Sequence, residues 1–598
     1  MRHRGMNLMK LRGLIVAAAM IALSGCMKER TSRLQMEEDN DKPLVRTVGD
    51  VADIQSAGGV PVSGIGLVVG LDGTGGGVPP GNYRQMAEEY LKRNKIDNAK
   101  DWLDSPNNAV VLISAEIPAG SRRGDRVNIE VTLPPGSKVK SLRGGYLLET
   151  SLATYATQSQ VRNYLEQTTD VKPVNTGDSL LKGHSLVAAE GPLHVALKDK
   201  ENSDRESGDT IESGMRRGFV WKGGRTKSDQ PYYLILNPQN QLYRISITVA
   251  DRINETFHGP GTPEKIAVAR SKETVVVTIP PHARGNPAHF LRVVRMIPID
   301  RVDDAYRRRL EEQVMQPETC LSAALRLEAL GRDTIPVLMN ALKQSPYPLV
   351  RFAAAESLAY LGEPIAAQEL AKLAEEHPSL QGLSLTALSS LDEAASNFAL
   401  LELLASEQPE VRYGAFRALR ELDPRGDTSR GLLMNKSFWL HPLAPKSTPL
   451  VHLLTGNRAE VVVFGQKAQL VGPFSLRAGP DLILTAKAGD TKCTISRFAV
   501  NKSERIEQCS LSIVEIVRTM AEMGALYEDV AQMLMQARDT KALTCDLAID
   551  ALPKHVPVQK LAQNAHVDKK MENEAELLKS STQEQAEPPS VFDRPGRK

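Results

Sequence analysis

Apolar and polar residues alternate through much of residues 45–300, and the period lengthens to about 3.6 after Asp303. Residues 109–118 and 126–134 read as strands, the second with Val127, Ile129, Val131 and Leu133 set between polar neighbours. The same alternation in Ile245, Ile247 and Val249 predicts a strand over 244–250. Residues 274–279 are a β-branched run that Pro280 and Pro281 end, because proline cannot donate to a sheet ladder. Residues 83–94 break the pattern, with Met86, Tyr90 and Leu91 on one face of a predicted helix. Residues 198–214 and 222–230 read as surface loops from their glycine and charged content.

Leucine and alanine dominate the next stretch. Leu330, Leu361, Leu391 and Leu422 stand at equivalent places in four predicted helices, at steps of 30 or 31 residues. Second helices are predicted between them, over 335–343, 365–376 and 397–406. A helix pair of this size has too little core to stand alone, so neighbours must stack to bury their apolar faces. Pro348-Leu349-Val350-Arg351 and Pro409-Glu410-Val411-Arg412, each opening a helix, resemble short HEAT-type repeats. That resemblance implies an α-solenoid over 303–424.

Strands return at 450–454, 461–464, 482–486 and 494–500, followed by paired helices at 512–523 and 527–537 and a short last element at 544–552. These make a C-terminal αβ domain over 435–560. Residues 566–598 are charged and polar and have the composition of a disordered tail. The expected fold class is multidomain α+β: a strand-rich region over 45–300, an α-solenoid of HEAT-like repeats, and a smaller C-terminal αβ domain. A length of 598 residues suits about four domains at ~150 residues each.

The first residues carry a different signal. Arg2, Arg4, Lys10 and Arg12 precede an apolar run from Gly13 to Leu23, and Leu23-Ser24-Gly25 leads into Cys26. This is the pattern of a lipoprotein signal over 1–25, with Cys26 acylated. The run is well short of the roughly 20 residues that span a bilayer. Residues 26–44 read as a flexible leash between lipid and body. Met27, in place of an aspartate, points to the periplasmic face of an outer membrane.

Charge adds little, since 74 basic residues face 72 acidic ones and aromatics make up only 5%, which argues against a nucleic-acid partner. Cys320, Cys493, Cys509 and Cys545 form no CxxC pair and have no histidine at ligand spacing, so no metal site is expected. Cys493 and Cys509 bracket two predicted strands; in an oxidising compartment they pair as a disulfide on one reading and stay as core thiols on the other.

The glycine-rich run from Gly64 to Gly77 raises a phosphate-cradling loop. It lacks Gly-Lys-Ser/Thr and the dinucleotide spacing, and Pro79-Pro80 interrupts entry into the helix, so a tight packing loop is expected instead. No GxSxG, HExxH or SxxK motif occurs. His282 and His289 flank a short Gly- and Pro-bearing loop and read as surface residues, and Arg307-Arg308-Arg309 as a solvated helix face. No catalytic, cofactor or metal residue is assigned, and an enzyme is not expected.

Three stretches carry a family resemblance: Gly64-Ile65-Gly66-Leu67-Val68-Val69-Gly70-Leu71-Asp72-Gly73-Thr74-Gly75; residues 109–119 running into Gly124-Asp125-Arg126-Val127-Asn128-Ile129-Glu130-Val131; and Ser141-Leu142-Arg143-Gly144-Gly145-Tyr146-Leu147-Leu148. With them, residues 48–152 resemble the bacterial flagellar P-ring protein family, periplasmic subunits that form a ring around the flagellar rod at the peptidoglycan layer. The likeness fades toward residue 300. A lipoprotein signal, a helical solenoid and an extra C-terminal unit depart from the family. The resemblance implies a structural subunit of the basal-body P ring, with further copies of itself, rod and outer-ring proteins and peptidoglycan as partners. Acyl chains on Cys26 add a tether to the outer membrane. The alternative is a non-polymerising outer-membrane lipoprotein adaptor for another envelope assembly.

Overall fold

The computed structural model describes residues 45–561 apart from 56–57, 79–80, 94–97, 158–179, 196–214, 259–264, 444–447, 457, 499–502, 555 and 559. Cys26, the signal and leash, residues 198–214 and the C-terminal tail therefore lie outside the described residues. In chain order the first region holds α1 (Val48–Val51), β1 (Ala52–Gln55), β2 (Val60–Val69), α2 (Asn82–Arg93), α3 (Ala99–Asp104), β3 (Asn108–Ile117), β4 (Arg126–Thr132), β5 (Tyr146–Thr157), β6 (Leu180–Pro192), β7 (His194–Val195), β8 (Arg217–Thr226), β9 (Tyr232–Leu236), α4 (Tyr243–Thr256), β10 (Ala267–Ala269), β11 (Thr274–Val277) and α5 (Pro287–Met296).

The alternation of β2 to β8 builds a barrel. Strands run in the order β4-β3-β2-β5-β6-β8, and antiparallel pairing of β4 with β8 closes the sheet. Closure leaves every closing strand with neighbours on both sides. Val111, Ile113, Ile129, Val131, Leu147, Leu152, Val187 and Val220 fill one apolar core. Ala87 and Leu91 of α2 and Leu103 of α3 pack with Leu67 and Val110 in a second one. Met86, expected on the apolar face of α2, is instead 40% exposed. Residues 222–226, expected in a loop, belong to β8. Their glycines mislead: a Cβ at Gly224 would come within 2.5 Å of Val127 Cγ2, so glycine here admits β4 at close range.

A second sheet, in the order β1-β9-β11-β10, is wholly antiparallel and shares its core with α4 and α5. Residues 244–250, expected to be a strand, lie in α4. Ser246, Val249, Ala250 and Ile253 are its buried residues, at spacings of three and four, while Ile247 is half exposed. β-Branched residues imitate strand alternation here, and the burial of one helical face decides the outcome.

Helices follow: α6 (Asp304–Val314), α7 (Cys320–Leu330), α8 (Ile335–Gln344), α9 (Pro348–Tyr360), α10 (Ala366–Glu376), α11 (Gln381–Ser390), α12 (Ala394–Leu403) and α13 (Pro409–Leu422). Asp303 caps α6 by accepting from Tyr306 N at 2.8 Å, and Pro348 and Pro409 sit where a helix has no N–H to lose. Helix α7 packs on α9, α9 on α11 and α11 on α13, while α8, α10 and α12 back them from the other side. Covered by neighbours on several sides, α9 and α11 are buried almost all round.

The last described elements are α14 (Asp427–Arg430), β12 (Leu432–Met434), β13 (Phe438–Leu443), β14 (Leu450–Leu453), β15 (Glu460–Phe464), β16 (Phe474–Ala478), β17 (Leu482–Ala486), β18 (Lys492–Arg497), β19 (Arg505–Ser510), α15 (Ile513–Glu522), α16 (Tyr527–Asp539) and β20 (Asp546–Ile549). A mixed sheet runs β12-β13-β15-β14-β20, and β16 to β19 form an antiparallel meander. Both sheets share one apolar core with α15 and α16.

Candidate functional site

The glycine-rich loop after β2 is stitched to two other segments. Its backbone N–H groups donate within the chain: Gly73 N to Asn107 Oδ1 at 2.9 Å, Gly75 N to Pro106 O at 2.8 Å and Gly76 N to Asn108 O at 3.1 Å. Thr74 Oγ1 donates to Leu71 O and reaches Ser141 O at 2.9 Å. Donors so engaged are spent on packing, which is the reading the sequence favoured over a phosphate cradle. Within β2 itself, a Cβ on Gly66 would sit 2.5 Å from Ile113 Cδ1 and 2.7 Å from Thr150 Oγ1, so the strand admits no side chain there.

The adjoining Ser141-Leu142-Arg143-Gly144-Gly145 turn faces the C-terminal region. Gly144 adopts φ 73°, a left-handed conformation that closes the turn. Arg143 Nη2 then donates to both carboxylate oxygens of Asp529, at 2.5 and 2.6 Å, in the first turn of α16. Burial pushes the Asp529 carboxyl up, and Arg143 opposes that shift. Beside it, Val195 N donates to Glu528 Oε1 at 3.0 Å. The family-like turn thus anchors the barrel to α16.

Two further joints bury charge. His289, expected at the surface, is 2% exposed, because α5 presses it against α7 and α9. Its Nε2 lies 2.9 and 3.0 Å from the Glu328 oxygens, its Nδ1 lies 3.4 Å from Glu356 Oε1, and Arg292 Nη2 lies 3.6 Å from the same oxygen. Tyr360 stacks on the ring at 3.8 Å. Burial disfavours the imidazolium, but Glu328 and Glu356 outweigh it and hold the pKa up to about 9. Two cations therefore balance two carboxylates.

The second joint centres on Glu460, fully buried at the start of β15. Tyr413 OH donates to one carboxylate oxygen and Arg420 Nη1 to the other, the latter at 2.6 Å. Burial opposes its charge, and Arg420, Arg458 and Arg417 hold the carboxyl far below the usual range. His441 and His452 lie in the same region, and burial pushes both imidazoles down to about 4. Tyr413, Arg417 and Arg420 follow one another at spacings of four and three along a face of α13, and that helical spacing of polar residues was the available sequence signal.

Cys493 and Cys509 stand directly opposite each other on β18 and β19, with their sulfurs 3.4 Å apart and unbonded. Cys320 is buried, with its Sγ donating to Pro317 O at 3.3 Å, and Cys545 is half-buried. His282 is exposed, as are Arg307 and Arg308. Among the described residues no group of His, Cys, Asp and Glu is placed to hold a metal ion, and no helix is long and apolar enough to cross a membrane.

Comparison with known proteins bears on the barrel. Residues 47–162 match the family described as flagellar P-ring protein. The flagellar P-ring protein of Helicobacter acinonychis (strain Sheeba) is 25% identical over 260 residues, 43% of this chain and 63% of that protein. That of Helicobacter pylori (strain G27) matches to the same extent. The Thermotoga petrophila protein is 26% identical over 245 residues, 38% of this chain and 72% of its own length. The chain thus spans about 63% of the length of the Helicobacter relatives it matches.

Proposed function

We propose, from the similarity of residues 47–162 to the flagellar P-ring family, that the protein is a structural, non-catalytic subunit of the flagellar basal-body P ring. The observation that carries this reading is that the matched segment coincides with β2 to β5, the glycine-rich loop and the Arg143 turn. These parts serve packing and docking. Copies of the chain associate as a homo-oligomeric ring in the periplasm, around the rod, at the peptidoglycan layer and beside the outer-ring proteins.

The remaining regions adapt that subunit. Acylation of Cys26 tethers it to the outer membrane, with residues 26–44 as leash. Helices α6 to α13, repeating at 30 or 31 residues, act as a HEAT-like solenoid over 303–424 that recruits a neighbour. The unit over 435–560 braces the barrel through Asp529. Cys493 and Cys509, already opposed across a ladder, form a disulfide in the oxidising periplasm.

Deleting the gene tests the proposal: the strain is expected to be non-motile, with isolated basal bodies lacking the ring at peptidoglycan level. A fully motile deletion strain with intact rings refutes it.

A further inference from the structure

The bulge in β8 aims two side chains away from the barrel. Register slips between the pairs Val127↔Gly224 and Ile129↔Val220, so residues 221–223 leave the ladder. Lys222 takes φ 51°, a left-handed conformation that lysine seldom adopts, and its N–H donates to Asn128 Oδ1 at 3.0 Å.

The bulge meets a cluster of cations. Lys222 Nζ and Arg458 Cζ each lie 5.6 Å from the Trp221 ring centroid, and Arg420 Cζ lies 5.9 Å from it. Arg417 acts on the same groups, whereas the carboxylates acting on them are Glu421 and Glu460. Four cations, Lys222, Arg417, Arg420 and Arg458, therefore face two carboxylates. Glu460 is already engaged by Tyr413 and Arg420. Arg458 Nη1 is buried and has no hydrogen-bond partner among the described residues. A guanidinium N–H out of water demands an acceptor, and one aromatic face does not neutralise three charges. Desolvation of its ammonium among these groups, then repulsion from Arg458, Arg420 and Arg417, drives the Lys222 pKa down, with Glu421 opposing them, although the residue as a whole keeps an exposed face.

We infer that Trp221, Lys222, Arg420 and Arg458 form a binding site for a small oxyanion, a carboxylate or phosphate group. Arg458 supplies the unused donor, Arg420 and Lys222 the charge, and the Trp221 ring a flat wall. Lys222 is exposed and Trp221 half-buried, so the site opens to solvent. It lies outside the family-matched segment, and the ring proposal stands or falls without it.

Thermal unfolding of the full chain, titrated with sodium phosphate or sodium acetate at ionic strength held constant by sodium chloride, tests the site. Saturable binding is expected to raise Tm by about 2–4 °C. Arg458→Gln is expected to weaken binding at least about tenfold, the size of one charge-assisted hydrogen bond. Lys222→Ala, at the exposed mouth, is expected to weaken it several-fold. A response to phosphate alone identifies a phosphate site, and a response to acetate a carboxylate site. Indistinguishable curves in phosphate, acetate and chloride overturn the inference, as does a shift that both variants leave unchanged.

Discussion

The His289 and Glu460 joints both bury carboxylates where regions meet, yet they settle charge in opposite ways. At His289 two cations answer two carboxylates, and the imidazole is held protonated by its neighbours. At Glu460 the cations outnumber the carboxylates, and the nearby His441 and His452 are kept neutral by burial. What differs is how the carboxylates meet the ring: Glu328 and Glu356 contact the His289 imidazole directly, whereas burial outweighs the pull of Glu460 on His441 and His452. A balanced cluster serves as a bolt, and an unbalanced one keeps capacity for a further anion.

The comparison breaks most directly at Glu460. Glu460→Gln leaves Arg420 and Arg458 buried without their counter-charge, and should cost about 3–5 kcal/mol in urea unfolding. A loss below about 1 kcal/mol would mean that the arginines are satisfied in some other way. Next in size is the alkaline response of His289. Folded and unfolded imidazole are both protonated below pH 6.5; between 6.5 and about 9 only the folded form holds the proton, so its contribution is lost across that window. The slope is at most about 1.4 kcal/mol per pH unit, and His289→Gln should abolish it.

His441 and His452 have the reverse sign. Their folded pKa values near 4 lie below the unfolded value of 6.5, so stability is retained above 6.5 and falls as pH drops toward 4. A stability profile that sags at both ends, with only the alkaline side cured by His289→Gln, would sharpen the contrast. The smallest effect is expected at the barrel's own anchor. Arg143→Ala removes a half-exposed donor from Asp529 and should cost about 1–3 kcal/mol, with faster hydrogen exchange confined to α16. Unchanged exchange there would show that the Val195–Glu528 hydrogen bond and apolar contact suffice to hold α16 to the barrel.

The helices α7 to α13 were legible in the sequence because leucine and alanine at helical spacing repeat at a constant step, and helix burial is a local pattern. Strands β3 and β4 were legible for the same reason. Strand β8 was not: Gly223 and Gly224 carry no strand signal, and Gly224 is covered by Val127 and Ile129 of β4 and Val187 of β6, far away in the chain. The α4 segment failed because Ile245, Ile247 and Val249 fit either period, and only tertiary packing chose between them. Of the candidate site, the glycine loop and the Arg143 turn were visible as motifs. Asp529, 386 residues further on, was not, nor was the burial of His289, which depends on Glu328 and Glu356 from two other helices.

Closing the barrel by pairing β4 with β8 also sets an order of events during synthesis. Arg126–Thr132 must wait for Arg217–Thr226, so the first strands to leave the ribosome form an open sheet with two unsatisfied edges until some 90 further residues have followed. A fragment ending at residue 162 holds the whole family-matched segment and still lacks the closing strand. Expressed alone, such a fragment presents the templates on which other chains aggregate, and the polar, glycine-rich stretch that looked like a loop is what keeps the finished barrel from doing so.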